Sequence, residues 1–233
     1  MNKWIHTKLR PAIGDLMRKC PKLYDAYQKV FFYFVGKKKW RGMHRVGYQY
    51  SKDIQQALDK TGIRYFAAYG TMLGLVREGG FIGHDEDIDF GVLLDEQFSW
   101  EKLESCMSSI GFRKKHIFTC NGVITEQTYM KNGLSVDFFS FEEEGDTMIT
   151  YYYIKEKDKE YKKNEWTVCY HRNAVFEGFQ KINCHDVEFQ IPLNPEKYLE
   201  EVYGTGWKIP DPNYVGKHKI LEDAEGYILK IYK

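Results

Sequence analysis

The stretch of sequence that decides the fold runs from residue 69 to residue 90 and reads YGTMLGLVREGGFIGHDEDIDF. It joins a small-residue turn, Gly70-Thr71, to four acidic residues within five positions, Asp85 to Asp89. Acids this close together repel one another unless they are solvated, protonated or neutralised by a cation. Apolar neighbours such as Ile82 and Phe90 make free solvation unfavourable. The stretch therefore predicts a divalent metal beside a phosphate-holding turn, which suits the movement of a phosphoryl-type group.

The Gly70-Thr71 turn lies between two predicted elements. Residues 63–69 are apolar and aromatic and predict a buried strand, and residues 71–78 predict a short helix that ends at Gly79-Gly80. A strand that turns into a helix offers free backbone N–H groups and a positive helix end to a phosphate. Gly70 permits close approach of the backbone, and Thr71 can donate its hydroxyl. Arg77 has two interpretations, a clamp on phosphate or a structural partner of a nearby acid.

The acids themselves follow a strand pattern. Residues 88–94 predict the next strand, and alternation places the carboxylates of Asp87 and Asp89 on one side of it. A third acid, Asp137, lies between apolar residues in a strand predicted over 134–139, after an Asn132-Gly133 hairpin turn. If the strands are neighbours, the three carboxylates converge, and Mg²⁺ or Mn²⁺ prefers such oxygen ligands. The alternative is an acidic turn with Asp137 as an isolated edge residue.

The remaining pattern indicates a mixed α+β domain. Helices are predicted over 45–59, 97–109 and 195–203, and a hairpin turn is predicted at His185-Asp186. Residues 151–165 are charged and are expected to be exposed. The segment 169–173 is predicted to be either a polar loop or a binding segment, in which His171 and Arg172 contact a donor phosphate or the acceptor. Tyr151-Tyr152-Tyr153 form a hypothetical aromatic site that either stacks on a cytosine or cages a quaternary ammonium group, and at most two of the three rings can share a pocket because they alternate along a strand.

Composition and charge exclude several classes of protein. The 233 residues are 43% hydrophobic and 29% charged, which is typical of a globular chain. A net charge of +1 gives no electrostatic argument for nucleic acid. The five cysteines form no CxxC pair, which predicts reduced thiols rather than a zinc site. We find no signal sequence and no stretch long enough to span a membrane, so a cytoplasmic location is expected.

Residues 1–43 form a separate basic and aromatic region that ends in Gly36-Lys37-Lys38-Lys39-Trp40-Arg41. We interpret residues 1–43 as an N-terminal helical extension and residues 44–233 as the catalytic domain. The extension is predicted to be a helical hairpin packed on the domain. Its alternative is a peripheral contact with the anionic inner face of a membrane, because an apolar aromatic run lies beside the basic cluster.

Four blocks of sequence resemble the LicD family, which is related to fukutin and the fukutin-related protein within the nucleotidyltransferase-fold superfamily. Residues 69–77 are similar to the family's Gly-Thr-Leu-Leu-Gly-x-x-Arg segment, and residues 81–89 are similar to its Phe-Ile-Pro-Trp-Asp-Asp-Asp-Ile-Asp segment. Residues 134–139 resemble its third-acid strand, and residues 191–207 resemble its closing helix. Gly83-His84 replaces the usual Pro-Trp and Glu86 replaces a middle Asp. His84 therefore either touches substrate or metal or makes an ordinary loop hydrogen bond.

The resemblance implies a nucleotidyltransferase-like mixed β-sheet flanked by helices. It also implies a metal-dependent transferase that moves a phospho-substituent from a cytidine nucleotide-activated donor to a hydroxyl of a cell-surface glycan or a lipid-linked glycan precursor. The substituent would be phosphocholine, a polyol phosphate such as ribitol phosphate, or a phosphonate. In bacterial relatives the acceptor is teichoic acid, lipopolysaccharide or capsule.

The resemblance also carries roles to particular residues. Asp87 and Asp89 would be the metal ligands, with Asp85 as a further ligand. Asp137 would complete the metal site or act as the base on the acceptor hydroxyl. Gly70 and Thr71 would hold the donor phosphate.

Two rival functions are compatible with the sequence. A true nucleotidyltransferase would attach a nucleoside monophosphate to a small acceptor with the same acids and the same turn, and the mass of the product separates the two reactions. A non-catalytic module that binds glycans or membranes would retain the fold, but the intact acids argue against it.

Overall fold

The computed structural model describes residues 46–83, 85–210, 216 and 218–231. Within these residues the chain forms four helices and ten strands. The helices are α1 (46–58), α2 (Tyr69–Glu78), α3 (Trp100–Ser109) and α4 (Pro195–Tyr203). The strands are β1 (Tyr65–Ala67), β2 (Asp87–Leu93), β3 (Arg113–Cys120), β4 (Val123–Lys131), β5 (Leu134–Glu144), β6 (Thr147–Ile154), β7 (Glu165–Ala174), β8 (Phe179–Cys184), β9 (Val187–Pro192) and β10 (Gly226–Lys230).

Eight of the strands form one mixed sheet in the order β1-β2-β5-β4-β3-β10-β7-β6. The long strand β5 also pairs with β6 at its far end, through residues 142–144, so six of the strands close into a barrel-like ring. The pair β2–β5 is parallel and every other pairing is antiparallel. Strands β8 and β9 form a separate hairpin.

The core lies between the sheet and the helices, and aromatic rings fill much of it. Phe90 of β2 stacks on Phe138 of β5 with ring centroids 5.5 Å apart, and Tyr129 of β4 packs edge-on against Phe138. These rings alternate along their strands with the acidic side chains, so the face opposite to the acids is buried. The buried face fixes the register of β2 and β5 and thereby places the acids.

Most of the predicted elements are confirmed. The helices at 46–58, Tyr69–Glu78, Trp100–Ser109 and Pro195–Tyr203 and the turns at Asn132-Gly133 and His185-Asp186 lie where the sequence predicts them. The mixed α+β class is confirmed, and the sheet closes on itself, which was not predicted from the sequence.

Three local predictions were wrong. The strand predicted over 63–69 is only Tyr65–Ala67, because Tyr69 already belongs to α2. Residues 151–154 belong to β6 and are half-buried instead of exposed, because they pair with residues 167–170 of β7. The segment 169–173 is not a loop, since it lies inside β7.

The cysteine prediction agrees with the four cysteines that the structure describes. Cys106, Cys120, Cys169 and Cys184 are free and buried. The proposed N-terminal extension, residues 1–43, and its membrane contact lie outside the described residues. Of the helices that are described, none combines the length and the apolar character needed to cross a membrane.

Candidate active site

The candidate active site is the place where the N-terminus of α2 meets β2 and β5. The parallel pairing puts Asp89 directly beside Asp137, and Asp87 beside Ser135. Because side chains two residues apart share a face, Asp87, Asp89 and Asp137 lie on the same face of the sheet. The structure thus brings together the three acids that the sequence predicts as catalytic.

The Gly70-Thr71 turn is bonded directly to the acidic strand. The Gly70 N–H donates to Oδ2 of Asp89 at 3.0 Å, and the Asp89 N–H donates to the Thr71 hydroxyl oxygen at 2.8 Å. The Ala68 N–H donates to the Asp89 carbonyl at 3.0 Å. Thr71 is fully buried, and its hydroxyl group is used to accept this hydrogen bond from the backbone of Asp89. The role of Gly70 and Thr71 in holding phosphate stays a prediction.

Gly70 leaves a small space between two carboxylates. A Cβ added at Gly70 would lie 3.1 Å from Oδ2 of Asp85 and 3.2 Å from Oδ2 of Asp89. Both oxygens therefore face the same point beside the helix N-terminus. The missing side chain is what lets the carboxylates of the 85–89 segment approach the turn.

The carboxyls repel one another and are poorly solvated. Burial, then the Asp87 charge, raises the pKa of Asp85 to about 7 and that of Asp137 to about 7. Burial and the charges of Asp87, Asp137 and Asp85 raise the pKa of Asp89 well above its ordinary value. Oδ2 of Asp85 and Oδ1 of Asp137 are inaccessible to solvent and accept no hydrogen bond. Buried unpaired oxygens of this kind are costly, and a cation would satisfy them.

Strand β4 contributes a fifth acid, Glu126, which was not predicted from the sequence. Glu126 is 5% exposed, and burial together with the charges of Asp137, Asp89 and Asp87 raises its pKa well above its ordinary value. The signal was present in the two-residue turn at Asn132-Gly133, which pairs Lys131 with Leu134. Counting back along the hairpin places Glu126 opposite Phe139, two residues beyond Asp137.

Four further residues were predicted to bind substrate, and the structure gives the contacts of three of them, Arg77, Arg172 and His171. Arg77 donates to Oε1 of Glu78 at 2.7 Å and to the Trp207 carbonyl at 3.2 Å, and its charge lowers the pKa of Asp85. Arg172 is paired with Glu144 at 2.9 Å and lies on the face of β7 opposite to His171. His84 lies outside the described residues.

His171 belongs to an aromatic pocket beside the acids. Its ring stacks on Tyr152 with centroids 4.6 Å apart and an interplanar angle of 18°, and it lies 5.9 Å from the ring of Tyr69. Tyr152, not Tyr151 or Tyr153, faces this pocket. The Tyr153 hydroxyl instead bonds to Thr125 of β4 at 2.5 Å. A cage formed by Tyr151 and Tyr153 therefore does not occur at this site.

The described residues show no preformed metal site. Among them, no three or more His, Cys, Asp and Glu side chains are already arranged around a common point as metal ligands. The site does offer carboxylate oxygens from Asp85, Asp89 and Asp137. Two of these oxygens, one on Asp85 and one on Asp137, have no hydrogen-bond partner. Hard oxygen donors of this kind fit Mg²⁺ or Mn²⁺.

Comparison with known proteins gives a family match over this region. The family model described as LicD/FKTN/FKRP, nucleotidyltransferase domain, matches residues 62–194, which include the turn and all the acids discussed above. An uncharacterised protein of Rickettsia typhi is 29% identical over 119 residues, which is 51% of this chain and 36% of that protein. Ribitol-5-phosphate transferase FKTN of Homo sapiens is 25% identical over 158 residues, 66% of this chain and 32% of the relative. The mouse protein of the same name is 25% identical over 167 residues, 69% of this chain and 33% of the relative. The chain thus spans about a third of the length of these relatives.

Proposed function

This chain belongs to the LicD/FKTN/FKRP nucleotidyltransferase-domain family, and we propose that it transfers a substituted phosphate from a cytidine nucleotide-activated donor to a hydroxyl of a glycan or lipid-linked glycan precursor. The observation that carries the proposal is that Asp85 and Asp89 meet at Gly70 beside a helix N-terminus, that Asp89 lies beside Asp137 on the neighbouring strand, and that two carboxylate oxygens are buried and unpaired. The similarity to proteins named ribitol-5-phosphate transferase supports a phosphate-transferring reaction. We further propose that the mixed sheet is a nucleotidyltransferase-type fold.

The acids are the groups that would hold Mg²⁺ or Mn²⁺. Asp87 and Asp89 would be ligands on β2, Asp137 a ligand on β5 and Asp85 a further ligand at the turn. When bound, the cation supplies neutralisation of phosphate charge and lowers the pKa of a coordinated hydroxyl. The raised pKa values of these carboxyls support this assignment, because burial and then the charges of neighbouring acids disfavour the ionised forms, and a bound cation would offset both effects.

The turn before α2 and the helix itself would position the carboxylates and the donor phosphate. The Gly70 N–H and the Thr71 hydroxyl hold Asp89 in place, so the carboxylate geometry is set before substrate arrives. The N-terminus of α2 points its dipole at the same place and favours a donor phosphate there. Arg77, already in contact with Glu78 and Trp207, fixes α2 against the segment after α4. An in-line transfer needs no covalent intermediate with the protein.

The experiment is a thermal-shift measurement with a panel of activated donors. CDP-choline, CDP-ethanolamine, CDP-ribitol, CDP-glycerol and the CMP ester of aminoethylphosphonate are added with and without Mg²⁺. A ligand that binds only the folded state raises Tm by mass action. We expect a shift with one donor, only when Mg²⁺ is present. Asp89→Asn should abolish that shift. Asp95→Asn, the same change two residues beyond the end of β2, should retain it.

Two outcomes would contradict the proposal. A shift that is equal in Asp89→Asn and in the parent chain would refute the metal assignment. A shift with ATP or another nucleotide and none with cytidine donors, followed by a product whose mass has increased by a nucleoside monophosphate, would favour the nucleotidyltransferase rival. Asp137→Asn separates the two roles of that residue: loss of Mg²⁺ binding identifies a ligand, and loss of transfer with Mg²⁺ binding retained identifies a base.

A further inference from the structure

An aromatic pocket of about 270 Å³ lies beside the carboxylates, between the sheet and the C-terminal end of α4. Its volume is close to the lower end of the range for small-molecule sites, about 300–1,000 Å³. Six of the described residues that line it carry aromatic or imidazole rings: Tyr69, Phe139, Tyr152, His171, Tyr203 and His218. His171 was predicted from the sequence to contact the donor phosphate or the acceptor, whereas the other rings of this pocket have no role in the transfer proposed above.

The pocket is connected to the carboxylates through two residues of its wall. Tyr69 immediately precedes Gly70, whose N–H donates to Asp89. Phe139 is two residues beyond Asp137 on the same face of β5, and the rings of Tyr69 and Phe139 are 4.6 Å apart. Two residues of a strand span about 7 Å. A phosphate held at the acids would therefore be separated from the pocket by roughly the length that a ribose bridges.

The chemistry of the wall favours a neutral planar group. The part of the wall formed by described residues contains no Asp, Glu, Asn or Gln side chain. Burial and the nearby charges of Lys219 and His218 lower the pKa of His171 to about 4, so its imidazole is neutral at pH 7. Sugar hydroxyls are recognised by acids and amides, which this wall lacks. An aromatic wall also suits a quaternary ammonium group, and phosphocholine is therefore among the test ligands. The parallel rings of Tyr152 and His171 favour the stacking of a flat ring.

We propose that this pocket binds the nucleobase of the activated donor, and not the substituent that is transferred. Tyr152 and His171, which lie parallel, provide the stacking surface, and Tyr69 and Phe139 form the wall toward the acids. A hydrogen bond of 3.2 Å between the Tyr152 hydroxyl and Nδ1 of His218 links the stacking pair to another residue of the wall. The inference rests on the proposed function for the position of the phosphate.

The test is calorimetric titration of the full chain, in Mg²⁺, with the two halves of a donor separately. One set of ligands is the nucleoside 5′-monophosphates CMP, UMP, AMP and GMP. The other set is phosphocholine and ribitol 5-phosphate. Tyr152→Leu should weaken the tightest nucleoside monophosphate about tenfold or more and leave the substituent phosphates unchanged. Tyr152→Phe, which keeps the ring, should stay within about threefold of the parent chain.

Tyr151→Leu is the matched control, because Tyr151 is the neighbouring tyrosine on the opposite face of β6. It should bind nucleotides as the parent chain does. Should Tyr152→Leu fail to fold, His171→Leu removes the other half of the stacked pair and is expected to give the same loss.

Three results would overturn the inference: no nucleotide binding by the parent chain, equal losses in Tyr151→Leu and Tyr152→Leu, or a loss confined to phosphocholine or ribitol 5-phosphate. Failure of the proposed function gives a different result from failure of this inference. If AMP binding depends on Tyr152 while no cytidine donor binds, the pocket is a nucleobase site but the donor is not a cytidine nucleotide.

Discussion

Tyr69 begins α2 with a backbone φ of +38°, a left-handed conformation that is rare for a bulky side chain. Such strain costs about 1–3 kcal/mol and concentrates at functional sites. Here it turns the ring of Tyr69 toward Phe139 and its hydroxyl toward Thr150, while the next N–H reaches Asp89. The sequence could not predict this geometry, because local propensities disfavour it.

At neutral pH the carboxyls are expected to destabilise the metal-free chain. The pKa of Asp85 and that of Asp137 rise from 3.8 to about 7 in the folded state. Because a raised carboxyl pKa favours folding only while the group is protonated, its contribution is complete below pH 4 and is lost between about pH 4 and 7. One pKa unit is worth about 1.4 kcal/mol. These two groups therefore lower the free energy of unfolding by a few kcal/mol between pH 5 and 8.

Urea unfolding in EDTA at pH 5, 6, 7 and 8 measures this effect. Asp85→Asn should flatten the dependence, since it removes one of the groups, whereas Asp95→Asn should not change it. Addition of Mg²⁺ at pH 8 should restore stability to the parent chain. A metal-free chain whose stability is independent of pH over this range would contradict the electrostatic description of the site.

The Thr71 hydroxyl is predicted to matter for stability as well as for the site. Thr71→Val keeps the shape but leaves the Asp89 N–H without its acceptor at a fully buried position. An unsatisfied buried donor costs about 1–3 kcal/mol. We expect this loss in urea unfolding, together with weaker Mg²⁺-dependent donor binding. Thr71→Ser retains the hydroxyl and should recover most of the donor binding; equal losses in both variants would show that the hydroxyl is not responsible.

At the scale of the element, α2 contains two glycines with opposite expected effects. At Gly70 a methyl group would meet only the ends of two carboxylates, whereas at Gly74 it would lie 2.4 Å from the Gly80 carbonyl oxygen and 3.0 Å from the Ile82 nitrogen. Gly70→Ala should leave stability within about 1 kcal/mol or raise it, because alanine restricts the unfolded chain. It should nevertheless abolish Mg²⁺-dependent donor binding, because the methyl group occupies the space between Asp85 and Asp89.

Gly74→Ala should destabilise the chain by roughly 1–3 kcal/mol, since backbone atoms must move to accommodate the methyl group. Thermal unfolding and donor-induced Tm shifts of both variants measure the two effects separately. The prediction fails if Gly70→Ala retains the donor-induced shift, or if the two variants are equally stable.

Helix ends and hairpin turns, which depend on neighbouring residues, could be predicted from the sequence. The pairing of strands that are far apart in the sequence could not. Gly79 ends α2 in the left-handed conformation expected of a C-cap glycine, and the Asn132-Gly133 turn has the positive φ values of its hairpin type. The register of β2 against β5, which places Asp89 beside Asp137, joins residues 48 positions apart and has no local signal. The segment 169–173 is polar, but its place in β7 is decided by pairing with β6.

At the scale of the whole molecule, β10 closes the ring. It pairs with β3 through residues 226–230 and with β7 through Gly226 and Tyr227, and it is the strand that joins β3 to β7 in the sheet order. A closed ring removes two exposed sheet edges. The aromatic pocket depends on this closure because His171 and Tyr152 belong to β7 and β6, whereas the acids belong to β2 and β5.

Opening the ring at β10 should therefore disturb the aromatic pocket and leave the carboxylates in place. Ile228→Pro removes the N–H that donates to the Asn164 carbonyl at 2.9 Å and places a proline inside a central strand. We expect amide hydrogen exchange in β3, β10 and β7 to accelerate at least tenfold, while β2 and β5 stay protected, because proteins open in cooperative segments. Nucleoside monophosphate binding should weaken, and Mg²⁺ binding should persist. Leu229→Thr, a change at the exposed neighbouring position, should do neither. Uniform acceleration across all strands would instead show that ring and carboxylate strands unfold as one unit.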